Sequence, residues 1–311
     1  MSLRLVADVG GTNVRLALYD EERGELRDMQ TRNCVEYPNF SDAIESYLNN
    51  VHEHPESACF AIAAIIDGDW VDMTNADWKF SCRELVQQFG FSQLRLINDF
   101  EAIAHSLPSL QPSQLVSLTP GLTFAKHDLI AIGPGTGLGG ALFRKGAEVV
   151  ACEPGHAGLS PATALELELF SVLQAEAGEV YAELLLSGPG LQRLYLALAQ
   201  VKGQRPEAFA PHQISEHAVA GTDPLCNQAL DTFCGLLGSA AGNFAVSSGC
   251  YGGCYLAGGI LPRFVDYLQQ SSFRQRFADK GAMRATLEQV AIAVIVEPNP
   301  GLLGAAGVAL Q

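Results

Sequence analysis

The sequence predicts an α/β protein of two similar-sized lobes with a cleft between them. Three observations point there. An apolar strand running into a glycine turn occurs three times, at 3–13, 129–139 and 254–260. Strand-like and helix-like segments alternate along the chain. The 311 residues suit one large domain or two of ordinary size, and the Pro- and Ser-containing stretch "SLPSLQPSQ" at 106–114 is the expected boundary. A single doubly wound sheet is the alternative.

The opening "LRLVADVGGTNVRLALYD" reads as a strand, a Gly-Gly turn and a second strand, with "GELRDMQTRN" as a third. "SDAIESYLNNV" has a helical period with Ser41 as its N-cap. "ACFAIAAII" is a continuous apolar run, as in a central strand covered on both faces. "SCRELVQQFG" is a helix closing at Gly90, and "LRLIND" a strand leading into a helix from Phe100. After the boundary, "HDLIAIGPGTGLGGALFRKG" repeats strand, glycine turn and strand. "ATALELELFSVLQAEAG" and "GLQRLYLALAQV" are helices, and a long helix from about Asp223 leads to the strand and turn of "CYLAGGILP". "VAIAVIV" is a further strand and "PGLLGAAGVALQ" a C-terminal helix.

Hydrophobic residues make up 48% of the chain and charged residues 17%, enough for a full core without disulfides or structural metal. The formal net charge of −15 repels DNA, RNA and anionic membranes. A phosphate ligand must therefore be held locally, by backbone N–H groups, a basic residue or a metal. The eight cysteines are scattered and none forms a C-x-x-C pair, which argues against zinc. No long apolar leader with a cleavage site is evident, so a reducing cytoplasm is expected. Residues 232–262 carry no charge, but glycines, Asn243 and paired serines interrupt them. They read as a buried helix, a turn and a buried strand, not as a membrane span.

"DVGGTN", Asp8 to Asn13, is the first stretch suited to chemistry. Its glycines let the backbone approach a ligand, and consecutive N–H groups there make an anion-binding concavity. Thr12 and Asn13 add donors, and Asp8 at the strand end can hold Mg2+ directly or through water. A tight hairpin is the plain structural alternative. The stretch is no P-loop, and a strand, not a helix, follows the turn, which disfavours a dinucleotide fold. "GPGTGLGG", Gly133 to Gly140, has more glycines than a hairpin needs, so Gly135, Thr136 and Gly137 read as a second phosphate-contacting turn. In "LAGGI", Gly258 and Gly259 either admit a flat base and ribose or allow close packing. In "RLINDFEAIA", Asn98 and Glu101 stand three apart like a capping box, so Asp99 is not needed as the cap.

Taken in order, "DVGGTNVRLALYD", "INDFEAIA", "GTGLGG", "EPGHAG", "LSGPGL", "AGGILPRF" and "NPGLLGAAG" resemble the bacterial glucokinase family, of the type distinct from the zinc-containing sugar kinases and repressors. The resemblance runs from Asp8 to Gly307. It implies a two-lobe actin-like ATPase fold with a central cleft. Residues 1–108 with about 298–311 would form the small lobe and 109–297 the large one. It also implies use of ATP and Mg2+, phosphoryl transfer to O6 of glucose, and a homodimer. Asp99 matches the family's catalytic base, and Asn98, Glu153, His156 and Glu183 its sugar contacts. Asp8, Val9, Gly10, Gly11 and Thr12 match one nucleotide turn and Gly135–Gly137 the other. Judged alone, His156 is an ordinary loop histidine, Glu183 a solvated helix carboxylate and Glu153 an exposed turn residue. Three departures stand out: Pro154 where the family often has glycine, Ala7 where glycine is frequent, and Ala64 where proline is common. A kinase for another sugar and a non-catalytic sugar sensor of the same fold are the competing functions.

Overall fold

The computed structural model describes residues 2–64, 66–73, 78–144, 146 and 149–310. Ile65 of the expected central strand and Lys145 of the second glycine-turn hairpin lie outside them. The chain divides into two compact units, Met1–Leu110 with Glu297–Gln311, and Gln111–Val296.

In the first unit, β1 (Leu3–Val9), β2 (Asn13–Asp20) and β3 (Glu25–Asn33) form an antiparallel meander followed by α1 (Phe40–Val51). β4 (Ser57–Ile62) pairs parallel to β1. A small sheet of β5 (Ile66–Asp67), β6 (Trp70–Asp72) and β7 (Lys79–Ser81) precedes α2 (Cys82–Phe89). β8 (Gln93–Asn98) pairs parallel to β4 and enters α3 (Asp99–Ser106), giving the order β3-β2-β1-β4-β8.

The apolar run of β4 is buried along its whole length because both faces are covered. Alternate side chains of a strand point to opposite faces. Leu5, Ala7, Val9, Phe60 and Ile62 meet α1 and an aromatic group of Phe40, Trp78 and Phe80. Val6, Cys59 and Ala61 meet α3 and the C-terminal helix. The N-cap of α1 is Asn39, not Ser41: Asn39 Oδ1 accepts the Asp42 N–H at 3.0 Å, and the Ser41 hydroxyl donates to the same oxygen. Gly90, at φ 71°, closes α2 as expected.

The second unit holds β9 (Leu115–Ser117), β10 (Leu129–Pro134), β11 (Leu138–Phe143), β12 (Val149–Cys152), β13 (Gly253–Leu256) and β14 (Ile292–Ile295), in the order β12-β11-β10-β13-β14-β9. Its helices are α4 (Ala164–Ala177), α5 (Ala182–Leu185), α6 (Gly188–Val201), α7 (Pro211–Ala220), α8 (Pro224–Ser248), α9 (Val265–Gln270), α10 (Phe273–Ala278) and α11 (Arg284–Leu287). The uncharged stretch is the buried α8, a loop and β13, as expected, and no helix among the described residues is long and apolar enough to cross a membrane. Small residues on α8 admit α10 closely: a Cβ on Gly238 would fall on the Phe273 carbonyl oxygen, and one on Gly242 on that of Phe277. Arg276 of α10 fixes the crossing. It pairs with Glu166 of α4 through two bonds, at 2.6 and 3.1 Å, and donates to Ser239 of α8. Removing one partner of so enclosed a pair would strand a buried charge.

The last helix, α12 (Pro300–Gly307), belongs to the first unit and crosses α3, where Gly304 leaves room for the Ala102 carbonyl. Arg4 anchors its end by donating to the carbonyls of Ala306 and Val308.

The strand order repeats between the units. Each sheet places its hairpin strands third, second and first, then two parallel strands, and the second sheet adds β9 at the edge.

Candidate active site

In the first unit, the strand register gathers the predicted residues along one edge. Val9 pairs with Ile62 and Ile62 with Asn98, so Asp8, Val9 and Asn98 stand at the C-terminal ends of neighbouring parallel strands. That is where open α/β sheets bind ligands. Two inter-strand spacings put these ends about 10 Å apart.

Asp8 faces Arg15 across the hairpin, with Arg15 Nη1 to Oδ2 at 3.2 Å. Gly301, in the first turn of α12, leaves the room this carboxylate occupies, since a Cβ there would lie 3.0 Å from Asp8 Cγ. Burial raises the Asp8 pKa above its ordinary value, and Arg15 only partly opposes this. Arg15 was not foreseen, because the pairing is visible only once the register is known. Beyond Asp8, Gly10 donates its N–H to the Asn13 carbonyl at 3.0 Å and so closes the turn, while Thr12 is exposed at its tip. The Cys34 N–H donates to the Thr12 carbonyl at 2.8 Å and steadies Gly10–Thr12 from behind.

At the β8–α3 junction the capping box is realised. Asn98 Oδ1 accepts from the N–H groups of Phe100 (2.9 Å) and Glu101 (3.3 Å), and Glu101 Oε2 accepts the Asn98 N–H at 3.4 Å. Asp99 also takes part, accepting the Phe100 N–H on Oδ1 at 2.9 Å. Asn98 is the N-cap, so Asp99 is not needed there, as expected, but its carboxylate is not free of the helix end: two side chains share one helix-terminal donor. Burial alone would raise the Glu101 pKa. His105, the Asn98 N–H and Arg95 outweigh it and hold the carboxylate below its ordinary range.

In the second unit, Glu153, His156 and Glu183 come together through a folded loop. Pro154–His156 form one 3-10 turn after Glu153, with proline at a position where its missing N–H costs nothing. The Ala182 N–H donates to the Ala157 carbonyl at 2.9 Å, and the His156 ring lies 5.8 Å from that of Tyr181. Glu153 and His156 are exposed and Glu183 half-buried. The Pro154 ring fills the space that Gly140 leaves open on β11, with Cγ 2.5 Å from where a Cβ would lie.

Gly135, Thr136 and Gly137 form the β10–β11 turn, and the Gly135 N–H donates to the Gly137 carbonyl at 2.7 Å. Around Gly258 the structure favours close packing: φ is 92°, and a Cβ would fall on the Pro134 carbonyl. Gly259 has open space instead. A set of three or more His, Cys, Asp or Glu side chains able to hold a metal is absent among the described residues.

Two sheets sharing this strand order and these strand-end turns define the fold of the two-lobe actin-like ATPases, a class that includes sugar kinases. An Antarctic psychrotroph glucokinase superposes on the chain with a TM-score of 0.90, at 38% identity, covering 99% of this chain and 98% of its own. The glucose and AMPPNP complex of a ROK family glucokinase from Streptomyces griseus shares the fold at 22% identity and a TM-score of 0.67. The Glucokinase family model matches residues 5–311. The glucokinase of Saccharophagus degradans is 42% identical over 309 residues, spanning 97% of this chain and 96% of the relative. That of Colwellia psychrerythraea is 41% identical over 314 residues, spanning 98% and 95%. The chain belongs to the glucokinase family.

Proposed function

We propose that the protein is an ATP-dependent glucokinase, transferring the γ-phosphoryl group to O6 of D-glucose and feeding glycolysis. The observation that carries this is 42% identity to a glucokinase across 97% of the chain. The residue roles are those the motifs suggest. Asp99 accepts the O6 proton as the new P–O bond forms. Asn98 has its side-chain oxygen in the helix cap, so its amide nitrogen is the group suited to a sugar hydroxyl. Glu153, His156 and Glu183 orient the remaining hydroxyls, since a carboxylate accepts several O–H bonds. Phosphoryl transfer has a loose transition state, so alignment and charge neutralisation carry most of the catalysis. The turns at Gly10–Asn13 and Gly135–Gly137 supply backbone donors to the nucleotide, and Gly259, which faces open space, borders its base and ribose while Gly258 packs against Pro134.

Asp8 is the residue suited to hold Mg2+. Magnesium commonly takes one or two protein carboxylates, with water and substrate phosphate completing its shell. A carboxylate whose pKa burial has raised is stabilised in its charged form by a cation. When bound, the ion would neutralise charge on the phosphate oxygens. A cytoplasmic homodimer completes the reading.

Turnover measured by coupled ADP detection across hexoses and phosphoryl donors tests it. Glucose with ATP is expected to give the highest kcat/KM. A better value for mannose, fructose or an N-acetyl sugar would reassign the substrate, and no sugar-dependent ADP would favour a sensor. Light scattering on the purified protein checks the dimer.

A further inference from the structure

The segment Glu183–Gly188 grips the second glycine turn at both ends. Glu183 Oε2 accepts the N–H of Leu138, the first residue of β11, at 2.8 Å. The Gly188 N–H donates to the Gly135 carbonyl at 2.9 Å. Leu138 stands opposite Pro134 at a non-hydrogen-bonded position of the ladder, next to the Gly135–Gly137 bond, so its N–H points out of the hairpin and the carboxylate satisfies it. The Ser187 hydroxyl donates to the Glu183 carbonyl at 2.9 Å and fixes the segment between the two grips.

The glycine at 137 belongs to the same arrangement. Its φ is outside the left-handed region, so the backbone there does not require glycine. A Cβ on it would fall on Glu183 Oε2 and lie 3.0 Å from Cδ and 3.6 Å from Oε1. All three of its nearest atoms are the Glu183 carboxyl group. Gly155, in the loop that carries Glu153 and His156, also leaves room at this place: a Cβ on it would fall on the Leu138 carbonyl oxygen and lie 3.3 Å from the Glu183 Cβ.

We infer that Glu183 is a positioning residue for the Gly135–Leu138 turn, so that one carboxylate ties the sugar-contacting loop to the nucleotide-contacting turn and couples the two substrates. This rests on the glucokinase reading. Gly137 is glycine to make room for that carboxylate, and Oε1 is the oxygen available to a sugar hydroxyl. Ordering of Glu183 by sugar then steadies the turn before nucleotide arrives, which makes binding of the two cooperative.

Titration calorimetry with MgADP, with and without saturating glucose, tests this on wild type, Glu183→Gln, Glu183→Ala, Gly137→Ala and the Glu183→Ala/Gly137→Ala double variant. Loss of a hydrogen bond to a charged acceptor should weaken MgADP about tenfold in Glu183→Ala and in Gly137→Ala. Glucose should tighten MgADP in wild type but not in these two variants. Glu183→Gln keeps an oxygen for Leu138, so its MgADP affinity should stay within about twofold of wild type while glucose weakens. A merely structural role would not split the two ligands in this way. The double variant should bind MgADP no worse than Glu183→Ala alone, because the added Cβ no longer meets a carboxylate. Wild-type MgADP binding by Glu183→Ala, additive effects in the double variant, or equal MgADP loss in Glu183→Gln would each overturn the inference. If Glu183→Ala does not fold, Gly137→Ala against Glu183→Gln decides. If wild type itself binds no MgADP, the glucokinase reading fails and the inference with it.

Discussion

The two glycine turns occupy the same place in two sheets of the same order, yet each is stabilised differently. At the first, Asp8 sits one residue before the strand end, opposite Arg15 and beside the start of α12. At the corresponding place in the second sheet the residue is Gly133, and a side chain there would collide with the Ala257 backbone. Both turns close on themselves, Gly10 on Asn13 and Gly135 on Gly137; the first is steadied from behind by the Cys34 N–H, whereas the second is gripped at both ends by Glu183 and Gly188. One scaffold thus carries a charged strand end in one copy and a tightly packed, externally braced turn in the other. The repeated topology does not dictate the job of either turn; the side chains packed around it do.

Substitutions at one glycine beside each turn should show the difference most visibly. Gly133→Ala forces a Cβ into rigid backbone and should cost about 3 kcal/mol. Gly10→Ala meets its nearest atom, the Asn13 carbonyl, at an ordinary 3.4 Å. It should cost under about 1 kcal/mol. Urea unfolding midpoints of the two variants check the contrast, and equal losses would show that the turns are packed alike.

Asp8→Asn sharpens it further. Loss of the carboxylate should lower kcat/KM on the order of 100-fold. Stability should move the other way. Because burial raises the Asp8 pKa, the folded state holds its proton to higher pH than the unfolded state does. Stability is therefore lost as pH rises through the folded pKa. At pH 7 the Asn variant should unfold at higher urea than wild type, and the gap should close at acid pH. A less stable Asn variant at pH 7 would mean that the Arg15 pair outweighs burial.

The smallest expected effect concerns the capping box. Glu101 is held below its ordinary range, so its contribution is present at neutral pH and lost as pH falls through the folded pKa. Glu101→Gln keeps a capping oxygen but loses the charge, costing about 0.5 kcal/mol at pH 7. Its stability should match that of wild type at low pH, which a urea series across pH would show.

What could be read from sequence was mostly local. The Asn98–Glu101 box, the Gly90 cap, the buried β4 and the uncharged α8 all follow from neighbours within one or two turns of chain. Asn39 took the cap expected of Ser41 because two competent caps lie two residues apart, and only the geometry of chain entry chooses between them. Asp99 reached the Phe100 N–H by the same local competition. β9 and β12 are short edge strands whose residues carry little pattern of their own. Among the site residues, the glycine turns and the Asn98-Asp99 pair were visible as motifs. Arg15 required the hairpin register. The bond from Leu138 to Glu183 spans 45 residues, and nothing in either segment alone announces it.

In the proposed reaction the first unit's strand ends do the chemistry, with Asp99 as the base. Asp99→Asn removes the base while keeping a similar side chain. Its kcat for glucose phosphorylation should fall about 1000-fold, within the range for general-base loss, with MgADP affinity unchanged. A kcat close to that of wild type would show that Asp99 is not the base.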